Sequence, residues 1–399
     1  MRIVALETVR AAVQPNLLFV QLHTDEGLVG LGEAFFGART VEEYLHETVA
    51  DVLFSIPDAR PELVASKLRP YLGYQGAGAE LRGNAAVDLA LWDLLGQQAG
   101  LPLVTLLGGR VRDSIRVYNT CAGPGYVSTS TRQESGNWGM PATTDSGSWE
   151  DLEAFLTRPA ELATSLLSEG ITGMKIWPFD RAAELDHGNS ISRADLAAGL
   201  DIVSSIRDAV GADMDVMIEL HGLWNRTSAL RIIRELERFD PYWVEDPLRP
   251  DAAHSLARLK QETPVLIATG ETAVGRRGFA PLLEQGAIDI ATVDVQWTGG
   301  LTEARKVASL ADQYGIPIAP HDCTGPATLA VCAHLAMSQT NGLIQETVRA
   351  FLRTWYDELV TGIPEIADGR MTLADTPGHG VRLRDDYPES GLTRRVARP

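Results

Sequence analysis

Three short extended runs in this chain end in a glutamate: Met-Ile-Glu219, Trp-Val-Glu245 and Ala-Thr-Gly-Glu271. Positions 219, 245 and 271 fall at a constant interval of one strand-plus-helix unit, which stands the three carboxylates side by side on neighbouring parallel strands. Converging carboxylates repel one another unless a cation lies among them. Oxygen-only ligation selects a hard ion, Mg²⁺ before Mn²⁺ or Ca²⁺. One acidic strand end is an ordinary helix cap or solvated charge; three in register read as a metal site. Other strand ends carry further reactive groups. Lys175 and Trp177 lie two apart on one strand and share a face, as do Glu219 and His221. Asp294 and His321 end two successive strands, so the carboxylate can hold the imidazole, fix its tautomer and raise its basicity. Glu346 ends the run Leu-Ile-Gln-Glu346.

The elements that must position these groups follow a regular rhythm. From residue 115, β-rich runs at 115–121, 171–177, 214–221, 241–246, 264–271, 287–295, 316–321 and 342–346 alternate with helical patterns such as 227–239. Eight strands in this stretch predict one (β/α)8 barrel, whose catalytic groups gather at the C-terminal ends of the strands. The preceding residues differ. Residues 16–35 alternate around Asp25-Glu26-Gly27 and predict a β-hairpin, and 84–98 predict a helix ahead of Gly100 and Pro102. This start is α+β with an antiparallel sheet. Gly30-Leu-Gly32 lies within the hairpin and not between a strand and a helix, so it is no dinucleotide fingerprint. Residues 122–148, rich in Gly, Ser and Thr, follow the first barrel strand and are placed as a lid or as a surface excursion.

Composition narrows the partners. The chain has 399 residues, 45% of them hydrophobic and 22% charged, which fits a folded globular protein with more than one domain. With 35 Lys and Arg against 53 Asp and Glu, its formal charge of −18 opposes phosphate backbones and anionic lipid. Nucleic acid and membrane are therefore not expected partners. Cys121, Cys323 and Cys332 are too few and scattered for a disulfide framework or thiolate site. No apolar run reaches membrane-spanning length and Met1-Arg-Ile-Val-Ala-Leu-Glu-Thr lacks the order of a signal peptide, so a cytoplasmic protein is expected.

Taken together, Glu219, Glu245, Glu271, Lys175, the segment Asp294-Val-Gln-Trp-Thr-Gly-Gly300 and Pro320-His321 resemble the enolase superfamily. The pattern is closest to the mandelate racemase/muconate lactonizing enzyme family, in its mandelate racemase subgroup. Ala86-Val-Asp-Leu-Ala-Leu-Trp-Asp-Leu-Leu-Gly and Leu106-Leu-Gly-Gly109 are similar to that family's capping-domain signature. The resemblance implies a capping domain over 1–115, a modified barrel over 116–350, and a segment, 351–399, that returns to complete the cap. It implies one Mg²⁺ on Glu219, Glu245 and Glu271, base chemistry at His321 backed by Asp294, and substrate or oxyanion contacts from Lys175 and Glu346, with Trp177 lining the substrate. A small-molecule carboxylate substrate and a homo-oligomer are further expectations.

Two departures from the family pattern bear on the reaction. Most subgroup members have Asp where this chain has Glu219, and their Lys-x-Lys pair reads Lys175-Ile-Trp177 here. The second lysine would serve the opposite face of the α-carbon, and an indole cannot accept a proton. Racemisation and epimerisation are thereby disfavoured. His221, similar to the third-strand histidine of acid-sugar dehydratases, is placed as an acid for a departing β-hydroxyl, which predicts a 2-keto-3-deoxy acid product. A cycloisomerase or lactonizing activity would use the same metal and enediolate. A metal-dependent hydrolase would need a His-x-His ligand pair, and a metabolite-binding protein would have no use for the dyad. Phe35, Phe36, the 122–148 loop and the 178–190 loop are the expected specificity elements.

Overall fold

The structure is a computed structural model and describes residues 1–69, 76–128 and 150–399. The chain opens with three antiparallel strands, β1 (Ile3–Ala11), β2 (Leu17–Thr24) and β3 (Val29–Phe35). The last strand of the chain, Leu392–Ala397, adds to the free edge of β1, so the cap sheet joins both ends of the protein. Leu18, Val20 and Leu22 of β2 pack with Val87, Leu91 and Leu94 of the long helix Ala79–Ala99. The helix lies almost on the strand. A Cβ at Gly30 would sit 2.3 Å from the Ala90 carbonyl oxygen, and one at Gly32 1.9 Å from that of Ala86. The two glycines are a close-packing device.

β1 carries no clean alternation. Its buried residues include the adjacent pair Ala5 and Leu6, and the pairing with β2 is irregular between Ile3 and Ala5. Both of its faces are partly covered, which erases the period-two signal.

The second sheet closes into the barrel. β4 (Ile115–Thr120), β5 (Gly173–Ile176), β6 (Asp215–Glu219), β7 (Trp243–Glu245), β8 (Ile267–Thr269) and β9 (Ile290–Ala291) pair in parallel and in order. The expected strand at 316–321 is reduced to single bridges, Ala291 to Ile318 and Ile318 to Gly342. β10 (Gln345–Thr347) then pairs with β4 and shuts the ring. All the barrel strands are shorter than the sequence pattern suggests, because apolar runs continue into the buried loops beyond them. The barrel floor is filled by Tyr118, Met217, Trp243, Ala268, Ile290, Ala319 and Ile344. Two residues further along several of these strands, and so pointing the same way, come Thr120, Glu219, Glu245, His321 and Glu346. An apolar floor thus carries a polar layer directly above it.

After β10, a hairpin of Glu365–Ala367 and Arg370–Thr372 lies antiparallel on β4. Buried Asp93 of the long helix anchors the returning tail, accepting from Leu31 N (3.0 Å), His379 N (3.1 Å) and the Arg382 guanidinium (3.1 Å). Asp88, five residues earlier, accepts from the Thr302 amide at 2.8 Å, tying cap to barrel. Among the described residues no helix is long and apolar enough to cross a membrane.

Candidate active site

Glu219 and Glu245 are register partners on β6 and β7. Glu271 lies two residues beyond β8, where Gly270 (φ 140°) turns the chain; a Cβ there would meet the Phe279 ring at 2.5 Å. One carboxylate oxygen from each glutamate lies within 4.8 Å of the other two, and all three residues are buried. Glu219 Oε2 and Glu245 Oε1 are buried without a hydrogen bond among the described residues. With Lys175 as their ion-pair neighbour, these carboxylate oxygens in an all-oxygen donor set fit a hard divalent cation.

Lys175, on β5, is the cation inside this layer. Its Nζ stands 2.9 Å from Glu346 Oε1, 3.2 Å from Glu245 Oε1 and 3.7 Å from Glu219 Oε2. Burial alone would lower its pKa, but Glu245 and Glu346 outweigh that and hold it well above the usual lysine range. Glu346 also accepts from the Thr120 hydroxyl and from Asp322 N (2.9 Å). Burial opposes its charge, yet Lys175 and His321 draw its pKa down to about 2.

Two imidazoles flank the carboxylates. His321 Nδ1 is 2.8 Å from Asp294 Oδ2, and His321 Nε2 is 3.3 Å from Glu271 Oε2. Asp294 spends its other oxygen on the amides of Gln296 (2.7 Å) and Trp297 (2.8 Å). With Nδ1–H directed to Asp294, Nε2 is the basic nitrogen and faces the triad. At the other end, His221 Nδ1 is 2.6 Å from Asp180 Oδ2, and the His221 amide donates to Glu219 Oε1 at 2.6 Å. β6 stops at Glu219, so alternation does not extend to His221; a left-handed turn (φ 49°) brings it beside Glu219 instead. Burial disfavours a charged His221, but Asp180 and Glu219 override it and raise the pKa to about 10.

The comparisons agree with this architecture. Residues 3–108 match the mandelate racemase/muconate lactonizing enzyme N-terminal domain, and 158–387 match the enolase C-terminal domain-like model. The chain belongs to the mandelate racemase/muconate lactonizing enzyme family of the enolase superfamily. An enolase of the mandelate racemase subgroup from Agrobacterium tumefaciens is 42% identical with a TM-score of 0.88, covering 100% of this chain and 99% of that one. An enolase protein from environmental sequencing of the Sargasso Sea is 38% identical with a TM-score of 0.86, at the same coverage. A curated D-galactonate dehydratase of Xanthomonas oryzae pv. oryzae is 30% identical over 393 residues, 97% of this chain and 93% of its own length.

Within this family member, several groups at the site have no strong sequence signal. Asp180 opens the helix Asp180–Leu185, inside the stretch 178–190 that reads as a loop; only its place just after β5 hints at a role. Asp246 follows Glu245 and is buried, and burial with Glu271 and Glu219 pushes its pKa well above the carboxylate range. Trp297 stacks near the His321 ring (centroids 5.0 Å), with Phe36 of the cap at 5.7 Å on Trp297. Trp177 lies just beyond β5, buried between Phe155 (5.2 Å) and Tyr126 (5.8 Å), and its ring centroid is 5.8 Å from that of His221. Phe35 is fully buried. Of the 122–148 segment, residues 129–148 lie outside the described residues.

Proposed function

We propose that this protein dehydrates a polyhydroxy carboxylic acid to a 2-keto-3-deoxy acid, with Mg²⁺ held by Glu219, Glu245 and Glu271. The observation that carries this reading is the pair of carboxylate-held imidazoles at the two ends of the triad, His321 held by Asp294 beside Glu271 and His221 held by Asp180 with its backbone amide on Glu219. Mg²⁺ supplies positive charge that offsets the second negative charge developing on the substrate carboxylate as the α-proton leaves. His321 Nε2 takes that proton, and Asp294 stabilises the resulting imidazolium. The electron pair of the broken C–H bond forms the enediolate. Lys175, kept protonated, and Glu346 hold the substrate oxygens in place. Collapse of the enediolate expels the β-hydroxyl as His221 protonates it, and the resulting enol becomes the ketone. The curated relatives named D-galactonate dehydratase support the substrate class of sugar acids.

A library of aldonic and aldaric acids incubated with the protein and Mg²⁺ in D₂O tests the reading. Keto-acid release from at least one member, abolished by chelation and restored by Mg²⁺, is expected. A carbon-2 epimer without keto acid, or no reaction with any member, overturns it.

A further inference from the structure

A carboxylate far from the triad in sequence reaches the dyad through the fold. Glu33 lies near the end of cap strand β3 and is fully buried. Its Oε1 accepts from the Thr328 amide at 2.6 Å and from Gln296 Nε2 at 3.3 Å; its Oε2 accepts from the Ala327 amide at 3.1 Å. Ala327 and Thr328 open the thirteen-residue helix Pro326–Ser338, which leads away from the loop that begins at His321. Gln296 Nε2 also meets the Thr328 hydroxyl, while the Gln296 amide holds Asp294 Oδ1 at 2.7 Å. The path Glu33–Gln296–Asp294–His321 is therefore continuous.

The fit is close on every side. A Cβ at Gly325 would stand 2.4 Å from Glu33 Oε1, so the chain must be bare there for the carboxylate to reach the helix. All the partners of Glu33 are donors, which the ionised form satisfies. Burial lifts the group up to about 7 against their pull, so pH 8 is the condition in which the carboxylate dominates.

We propose that Glu33 is a positioning residue for the His321–Asp294 dyad, through which docking of the cap aligns the two loops that carry the base and its partner. The inference rests on the proposed function for its kinetic consequence but not for its structural one. Shifts of this kind remote from the reacting atoms lower turnover by roughly 10- to 100-fold. Glu33→Gln replaces an acceptor oxygen by a donor opposite an amide N–H. At pH 8 it should slow α-deuterium exchange in this range while KM and Mg²⁺ affinity by calorimetry stay within about twofold. In an Asp294→Asn background the same substitution should have little further effect, because the path is already cut. An equal loss in both backgrounds overturns the proposal, as does a loss confined to KM or to metal affinity.

Hydrogen-exchange mass spectrometry gives a readout independent of activity. Glu33→Gln, and Gln296→Ala if the former does not fold, should speed exchange in peptides spanning 294–300 and 322–328. The strands bearing Glu219 and Glu245 should be unchanged. Uniform acceleration over the barrel, or none, overturns the proposal. If the unmodified protein exchanges no α-proton from any sugar acid, the dehydratase reading falls, and this second measurement alone decides about Glu33.

Discussion

Filling the carboxylate triad should release a proton, and the size of the effect follows from Glu245. This side chain is fully buried; burial raises its pKa to about 8, with Glu219, Glu346 and Glu271 pushing the same way against Lys175. At pH 7 a carboxyl with that pKa is protonated about ten to one. A divalent cation binds the ionised form, so each ion taken up at pH 7 displaces close to one proton from Glu245. Displacement makes the affinity at pH 7 weaker than above pH 8 by on the order of tenfold. Below pH 8 the affinity should rise about tenfold per unit of pH and then level off. Asp246, raised by burial and by Glu271 and Glu219, releases protons in the same direction when the cation offsets their charge. Titration calorimetry with Mg²⁺ at pH 6, 7 and 9, repeated at pH 7 in two buffers of different ionisation heat, measures both slope and proton count. Glu245→Gln removes the proton and one full ligand charge together, so its binding should be weak with a shallower pH dependence. An affinity equal at pH 6 and pH 9, with no dependence on buffer heat, refutes the reasoning.

His321→Asn should slow α-proton exchange by 10²–10⁴-fold, the usual range for loss of a general base, with Asp294→Asn less severe; exchange in D₂O at an unchanged rate in the histidine variant would move the base elsewhere. His221→Asn should slow keto-acid release while sparing α-deuterium exchange, and Asp180→Asn should do the same more mildly. Exchange and Mg²⁺ affinity falling together would instead make His221 a support for Glu219. His334, on Pro326–Ser338, accepts the Val104 amide at 3.0 Å on its Nδ1, and burial depresses its pKa to about 3. The unfolded chain protonates this histidine near pH 6.5 and the native state does not, so stability is full above pH 6.5. It should fall by about 1.4 kcal/mol per unit as pH drops toward 3. Urea unfolding from pH 7 to 4.5 should show a flatter acid limb in His334→Gln than in the unmodified protein; identical limbs would exclude His334 as a source of the slope.

Much of the site was legible because barrel geometry converts sequence intervals into neighbours. Glu219 and Glu245 are register partners for that reason, and Asp294 meets His321 because β9 is bridged to Ile318. What escaped was set by contacts with no sequence period. Asp180 depends on the short helix it opens after β5, and His221, singled out by its place two after Glu219, reaches its position through a left-handed residue and not by alternation; neither conformation has a pattern that spacing can reveal. Glu33 sits in a strand whose glycines advertise helix packing, while its own partners lie more than 260 residues away. The strand at Ile318 shrank to a bridge because the run contains Pro317 and Pro320, which lack an amide hydrogen for a ladder.

The choice between elimination and epimerisation turns on what faces the second side of the α-carbon. Trp177 takes the position of the family's second lysine, and its indole N–H is buried without a partner among the described residues. An indole in that setting can donate a hydrogen bond but cannot take a proton. Lys175, the next candidate, is bound by three carboxylates and kept protonated by Glu245 and Glu346. His221 is paired with Asp180; burial opposes its charge, but Asp180 and Glu219 raise its pKa to about 10 and so favour the protonated form that the proposed acid needs. His321 is likewise held by a carboxylate, with its Nε2 facing Glu271. Burial opposes its charge but Glu271 and Glu346 raise its pKa well above the usual histidine range, so the base role proposed for it rests on a cation offsetting Glu271. Epimerisation must return a proton to carbon 2 from the side opposite its removal. An elimination makes no such demand, because that carbon becomes a ketone, and the acid proposed for it, His221, stands at the other end of the triad.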